Sequence, residues 1–297
     1  MMLRGVLIWV RKVCNVCYNI GRHCVYVGQY TTNRNYGDAL GLLLPKLLEI
    51  NNGHILPKRL VFSRQYRSGV NLQMIGSTLG DVDAHSVVCG IGAVAEGQRV
   101  QAAPLQIVSV RGPLTRNLLL AQGIDCPAVY GDPAMLLPLF YTPKSKSKKY
   151  KIGLIPHYVD KGTEAVVRLC ANSEVHLIDI LLPPNRGLRM SVDKYWKQWI
   201  DELCNCEYII SSSLHGLILA EAYKIPTLWA VFSNNINGGD FKFMDYYSSI
   251  NINYPPRMNF QNKQNLSMCD LIQHCSLKDT SVIDKEQYKQ LLQSISI

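Results

Sequence analysis

The sequence has no long apolar run. Nothing in it approaches the ~20 consecutive apolar residues that a membrane-spanning helix needs. Residues 5–10 are apolar, with Arg4 before them and Arg11 and Lys12 after. That core is shorter than the roughly 7–15 apolar residues of a secretory signal. Acidic residues are also scarce: 22 Asp and Glu stand against 31 Lys and Arg, a net charge of +9. The plain reading of that excess is solubility. The sharper one is attraction to anions such as phosphates, acidic glycans or a membrane surface. The basic residues are not interleaved with aromatics and no DNA- or RNA-binding signature is present, which sets nucleic acid aside.

Other absences exclude particular chemistries. There is no GxxxxGK[ST] loop, so a P-loop ATPase is ruled out. Gly90-Ile-Gly92-Ala-Val-Ala95 fits the GxGxxG/A fingerprint, but no Asp or Glu lies near position 112. Without that acid to hold a ribose, a nicotinamide cofactor is not expected. The ten cysteines form no even framework of a short secreted chain. Cys14 and Cys17 make one CxxC beside His23 and Cys24, yet the second CxxC of a zinc site is missing, and no metal is expected. Reduced thiols and a cytoplasmic location follow as expectations.

What is present is ample core material. The 297 residues are 47% hydrophobic and 18% charged, as in a globular chain long enough for two domains. Short β-type runs alternate with helical patterns, which argues for βα units and parallel sheets. Strands are expected at 24–29, 72–75, 86–89, 106–110 and 128–130. Helices are expected at 39–50 and 114–121, with a further helix starting at Asp132-Pro133. The polar, basic stretch 142–150 is the only low-complexity segment and reads as a linker. Beyond it, strands are expected at 151–155, 175–179, 207–211 and 227–231, and helices at 192–204, 214–223 and 285–295. This divides the chain into a basic N-terminal extension (1–22), a first Rossmann-like half (23–141), the linker, and a second half (151–297). Residues 1–22 carry four basic residues and no acid. They are either a solvated extension or a segment that lies on an anionic membrane face.

Several polar residues fall just after a strand and just before a helix, the edge where open parallel sheets bind ligands. Ser211-Ser212-Ser213-Leu214-His215-Gly216 leads into an apolar helix. Serines there suit N-caps, and the free amides of a helix start favour an anion. His215 in the first turn could donate a proton or hydrogen-bond a phosphate; alternatively it is a satisfied core histidine. Arg111 could grip a carboxylate or phosphate with two parallel bonds, or form a salt bridge to a neighbouring acid. Asp38 and Asp132 each stand near a helix start, as N-caps or as partners of a sugar hydroxyl. His157 follows a strand as loop histidine or proton carrier. Lys242 is read as a loop lysine able to supply a second cation.

Taken in order, Asn35-Tyr-Gly-Asp38, Ile75-Gly-Ser77, Val110-Arg-Gly-Pro-Leu-Thr-Arg116, Tyr130-Gly-Asp-Pro133, Ile155-Pro-His157, Ser211-Ser-Ser-Leu-His-Gly216 and Phe241-Lys-Phe-Met-Asp-Tyr-Tyr247 resemble the polysaccharide pyruvyl transferase family, in its exopolysaccharide branch. The resemblance covers about residues 24–250. It implies a glycosyltransferase-B-like α/β fold, two Rossmann-like domains with the active-site cleft between them. It implies phosphoenolpyruvate as donor substrate, a glycan or lipid-linked oligosaccharide as acceptor, a pyruvate ketal as product, and no cofactor or metal. It maps the family's functional arginine and histidine onto Arg111 and His215. Asn35, Asp38, Ser77, Asp132, His157, Ser212, Ser213, Gly216, Lys242 and Asp245 are the candidate substrate-binding residues. Two rival functions share these features: a nucleotide-sugar-dependent glycosyltransferase of the same fold, and a non-catalytic glycan-binding protein. A lipid-linked acceptor would place the chain at the inner face of the membrane.

Overall fold

A computed structural model of the chain describes residues 25–27, 35–53, 55–57, 70–143, 147–183, 191–261 and 267–296. The extension 1–22, the Cys14, Cys17, His23 and Cys24 cluster, and part of the 142–150 linker lie outside the described residues. All seven described cysteines are free thiols.

Two five-stranded sheets organise the protein. The first contains β1 (Val25–Val27), β2 (Ile55–Pro57), β3 (Asn71–Gln73), β4 (Ser86–Cys89) and β5 (Gln106–Ser109), in the order β2-β1-β3-β4-β5. The second contains β6 (Tyr150–Ile155), β7 (Val175–Leu177), β8 (Cys206–Ser211), β9 (Thr227–Val231) and β10 (Arg257–Asn259), in the order β10-β9-β8-β6-β7. Every pairing within them is parallel. Counted from the first strand of each half, both sheets have the same doubly wound order. That order reverses beside the first strand, and the crevice at the carboxyl ends of the strands there is where such sheets hold ligands. In the first sheet this point lies between β1 and β3, in the second between β6 and β8.

Strands β3 and β4 are buried along their whole length, as parallel strands covered on both faces must be. The covering helices are α1 (Tyr36–Leu47), α2 (Pro113–Leu120), α3 (Glu164–Cys170), α4 (Ser191–Cys204), α5 (Leu214–Ala222), α6 (Phe241–Ser249), α7 (Met268–His274) and α8 (Lys285–Gln293), with a 3-10 helix over Pro133–Leu139. Helix α1 begins three residues earlier than its apolar pattern indicates. Asn35 caps it by accepting from the Gly37 amide at 2.9 Å. The strand expected at 128–130 shrinks to one bridge between Val110 and Tyr130. Lys242 is not on a loop; it sits in the first turn of α6.

The largest core cluster runs through both halves, from Val27 and Leu40 to Trp199, Leu217 and Leu292. The Tyr36 ring stacks on Trp199 at 4.2 Å, and its hydroxyl donates to the Trp196 carbonyl at 3.0 Å. Helix α5 is buried on every face, which fits a helix that is apolar all round. Its one acid, Glu221, accepts from Thr227, Tyr246 and Tyr247. Helix α8, expected as part of the second half, packs on the first. The Tyr288 hydroxyl donates to the Gly131 carbonyl at 2.8 Å and shares a 3.0 Å hydrogen bond with Ser109. Among the described residues, no helix is long and apolar enough to cross a membrane.

Candidate active site

The two reversal points contribute to one cavity of about 320 Å³, at the small end of the range usual for ligand pockets. From the first half come Asn35 and Asp38 around the start of α1, and Ser77 after β3. From the second come His157 after β6, Ser213 and His215 at the start of α5, and Lys242 of α6. The remaining candidates, Arg111, Asp132, Ser212, Gly216 and Asp245, do not line it.

Helix α5 opens onto this cavity. Ser213 is its N-cap, but its side chain makes no capping hydrogen bond, contrary to the capping role expected of the serines. The other two hydroxyls are engaged elsewhere. Ser211 accepts from the Ser213 amide at 3.0 Å and lies 2.8 Å from the Ile155 carbonyl. Ser212 donates to Asp160 at 2.6 Å and accepts from the His157 amide at 2.9 Å. The first-turn amides of α5 therefore lack a side-chain cap and suit an anion. Gly216 is in that turn, packed so tightly that a Cβ there would come within 2.4 Å of the Ser211 Oγ.

His215 projects from the same turn against the backbone of Gly37. A Cβ at position 37 would lie 2.0 Å from the imidazole Nδ1, so only glycine leaves room for the ring. On its other side His215 Nε2 faces Asp132 Oδ2 across 3.7 Å, beyond hydrogen-bond range. Both atoms are buried and neither has a hydrogen-bond partner. Asp132 uses its other oxygen to cap the 3-10 helix, accepting from the Ala134 amide at 2.9 Å. Two facing, unsatisfied polar atoms are a costly arrangement, and groups so placed are characteristic of functional sites.

Burial dominates the protonation behaviour around the cavity. It lowers His215 to about 3, with the nearby charges of Arg111 and Lys242 adding to the effect. His157 falls to about 4 through burial and Lys242. Burial raises Asp132 to about 6, against the pull of the Ala134 amide and Arg111. It raises Asp38 to about 7, with Lys242 opposing and Asp132 reinforcing the rise. Lys242 drops to about 8 through burial and Arg111, despite Asp38 and Asp160. Both imidazoles are thus neutral at pH 7, while Asp38 is poised to exchange protons there.

Arg111 takes the salt-bridge alternative, and Asp245, expected as a substrate-binding residue, is its partner. Both are fully buried and paired with each other, Nε to Oδ2 at 3.0 Å. Arg111 also donates to Ser77 Oγ at 2.8 Å and to the Ala93 carbonyl at 2.7 Å. Asp245 further accepts from the Thr115 amide and hydroxyl at 2.9 and 2.6 Å, so it caps α2 from the other half. The guanidinium lies against Gly92, where a Cβ would approach Cζ to 2.2 Å. The GxGxxA segment is therefore the cradle of Arg111, not a dinucleotide loop. Arg111 still lends its charge to His215 and Lys242, and it orients Ser77 at the cavity wall.

Asp160 is the residue that sequence reasoning missed. It is fully buried, and accepts from the hydroxyls of Ser212 and Ser233. It thereby ties the loop after β6 to the ends of β8 and β9. No motif surrounds it in sequence; only its carboxylate type, two residues beyond His157-Tyr158, could have drawn notice.

Fold and site together define an α/β protein with a polar, anion-suited cavity at two matched reversal points, furnished with a neutral histidine and proton-poised carboxylates. Residues 99–234 match the family model described as polysaccharide pyruvyl transferase, the family that the ordered motifs resemble. It is 28% identical to the uncharacterised protein L143 of Acanthamoeba polyphaga mimivirus over 234 residues, 76% of this chain and 77% of that one. It is 26% identical to the succinoglycan biosynthesis protein ExoV of Rhizobium meliloti over 225 residues, 75% of this chain and 64% of that one. The fold also superposes on a functionally uncharacterised protein from Klebsiella pneumoniae, with a TM-score of 0.49 at 12% identity, covering 85% of this chain and 98% of the other.

Proposed function

We propose that the protein transfers the enolpyruvyl group of phosphoenolpyruvate to two hydroxyls of one sugar in a polysaccharide precursor, closing a pyruvate ketal. In this reading the halves 23–141 and 151–297 face each other in the glycosyltransferase-B manner. The observation that carries it is the facing, unsatisfied pair of His215 and Asp132 at the uncapped start of α5.

The donor brings a carboxylate and a phosphate. The α5 amides and Lys242 receive them, with the field of Arg111 behind. A proton passes to the methylene carbon, and the neighbouring enol carbon becomes electrophilic. One sugar hydroxyl attacks it, the carbon–oxygen bond to phosphate breaks, and the second hydroxyl closes the ring. Two protons leave the hydroxyls; one replaces the proton given to carbon and the other leaves with phosphate. The donor's negative charge raises His215 from its low resting value, and the imidazole, backed by Asp132, then gives the proton or attends the departing phosphate. Asp38 takes protons from the hydroxyls. Phosphoenolpyruvate acts as substrate, and the reading needs no resident metal or cofactor. An acceptor on a lipid carrier would bring the chain to the inner face of the membrane, with the basic segment 1–22 as the contact.

The test measures phosphate release from phosphoenolpyruvate with a glycan acceptor, and nucleotide release from nucleotide sugars in parallel. His215→Ala should lower phosphate release by at least about 100-fold with unchanged unfolding temperature. Release of nucleotide alone would move the protein to the glycosyltransferases. A His215→Ala protein with full activity would remove the histidine from the reaction.

A further inference from the structure

A second cavity, also of about 320 Å³, lies beside the carboxyl ends of β9 and β10. Its chemistry differs from that of the first. Trp229 stacks on Phe243 at 4.6 Å, and the Arg257 guanidinium lies over the Trp229 ring at 5.4 Å. Arg257 donates in turn to Asp240, so a cation and an anion at the cavity wall cancel. Asn259 accepts from the Gln261 amide at 2.9 Å, and Asn234 from the Gln261 side chain at 3.0 Å. Those bonds occupy the two carboxamide oxygens and orient the NH₂ groups as donors. The result is a neutral site with both donors and acceptors over an aromatic base. Trp229 is only 2% exposed, so it cannot offer a whole face for stacking a nucleotide base. Hydrogen bonding to hydroxyls suits the site better.

The two cavities share a wall. Asn237 and Lys242 line the first, while Ile236, Gly239, Asp240 and Phe243, from the same segment, line the second. A ligand whose reacting sugar occupied the first would carry its next unit toward the second. We infer that the second cavity is a subsite for a neutral hexose linked to the sugar that receives the pyruvyl group, so that the acceptor recognised is at least a disaccharide. An acidic sugar would have to displace Asp240 from Arg257 to be paired, whereas a neutral one brings hydroxyls for Arg257, Asp240 and the two asparagines without breaking that pair. The inference rests on the pyruvyl-transfer reading for the identity of the ligand.

The test is equilibrium binding without phosphoenolpyruvate, followed by ligand-observed NMR. The probes are neutral glucose- and galactose-based mono-, di- and tetrasaccharides of several linkages, with UMP as a separate arm. At least one tetrasaccharide should bind about tenfold more tightly than its monosaccharide, the worth of one or two good hydrogen bonds. Arg257→Ala and the shape-preserving Asp240→Asn should each erase that difference while still unfolding cooperatively. Length-independent binding, a length dependence that survives both substitutions, or preferential binding of UMP at this cavity would overturn the subsite. The phosphate-release assay on the same preparations separates the two ideas. Length-dependent binding without turnover of phosphoenolpyruvate refutes the transfer reading alone. Turnover without length dependence refutes the subsite alone.

Discussion

At the scale of single residues, burial decides what each charge can do. Arg111 could have gripped the donor or paired with an acid, and its guanidinium is enclosed with Asp245. Arg111→Ala should therefore act first on stability. It leaves a buried carboxylate without its cation, a loss of about 3–5 kcal/mol, to be read from urea unfolding. An unchanged unfolding midpoint with lost turnover would instead return Arg111 to direct contact with the donor. Burial also sets opposite pH dependences. His215, lowered to about 3, contributes stability that is fully present above the ordinary histidine pKa of about 6.5. That contribution is lost as pH falls toward 3. Asp38, raised to about 7, contributes stability that is present below the ordinary carboxylate pKa and is lost as pH rises through 7. Urea unfolding between pH 4 and 7.5 should show the wild type losing stability relative to His215→Gln on the acid side, and relative to Asp38→Asn on the neutral side. Parallel pH profiles for all three proteins would show that neither group is held as described.

At the scale of elements, α5 is the piece on which the site is built. It is a wholly buried helix whose N-terminus serves the cavity and whose C-terminal half is anchored by Glu221. Three hydroxyls converge on that carboxylate: Thr227 at 2.7 Å, Tyr246 at 2.7 Å and Tyr247 at 3.0 Å. Glu221→Ala strands all three and should cost about 3 kcal/mol or more, with Glu221→Gln milder. Calorimetry would detect it; a loss under 1 kcal/mol, on the order of one ordinary surface change, would show that the network relaxes without its acid. Strands and helix starts at this scale were legible in the sequence. The apolar runs at β4 and β9 and the Ser-Ser-Ser turn before α5 announce themselves by local pattern. The edge strands β2 and β10 and the helices α3, α6 and α7 did not, because their faces are short or mixed and only packing selects their conformation.

At the scale of the whole molecule, one core cluster crosses both halves, and α8 returns from the end of the second half to the first. Tyr288 makes that contact with Gly131 and Ser109. Tyr288→Phe leaves a buried carbonyl and a buried hydroxyl without that partner, a loss of about 1–3 kcal/mol. Because the core is continuous, the loss should appear as a shift of a single unfolding transition seen alike by tryptophan fluorescence and circular dichroism. Two separate transitions, only one of them shifted, would mean that the halves are energetically independent.

The sequence by itself determined the α/β class, the central strands of the parallel sheets and the strand-to-helix edges that carry Arg111, Asp132, His157 and the three serines. These depend on hydrophobic period, turn chemistry and caps, all of which act within a few residues. Tertiary structure alone decided which candidates face the cavity. Arg111 meets an acid 134 positions away, and Asp160 meets Ser212 and Ser233 from 52 and 73 positions away. Whether a charge is exposed, paired or left facing another unsatisfied atom depends on desolvation by neighbours that only the folded chain brings together.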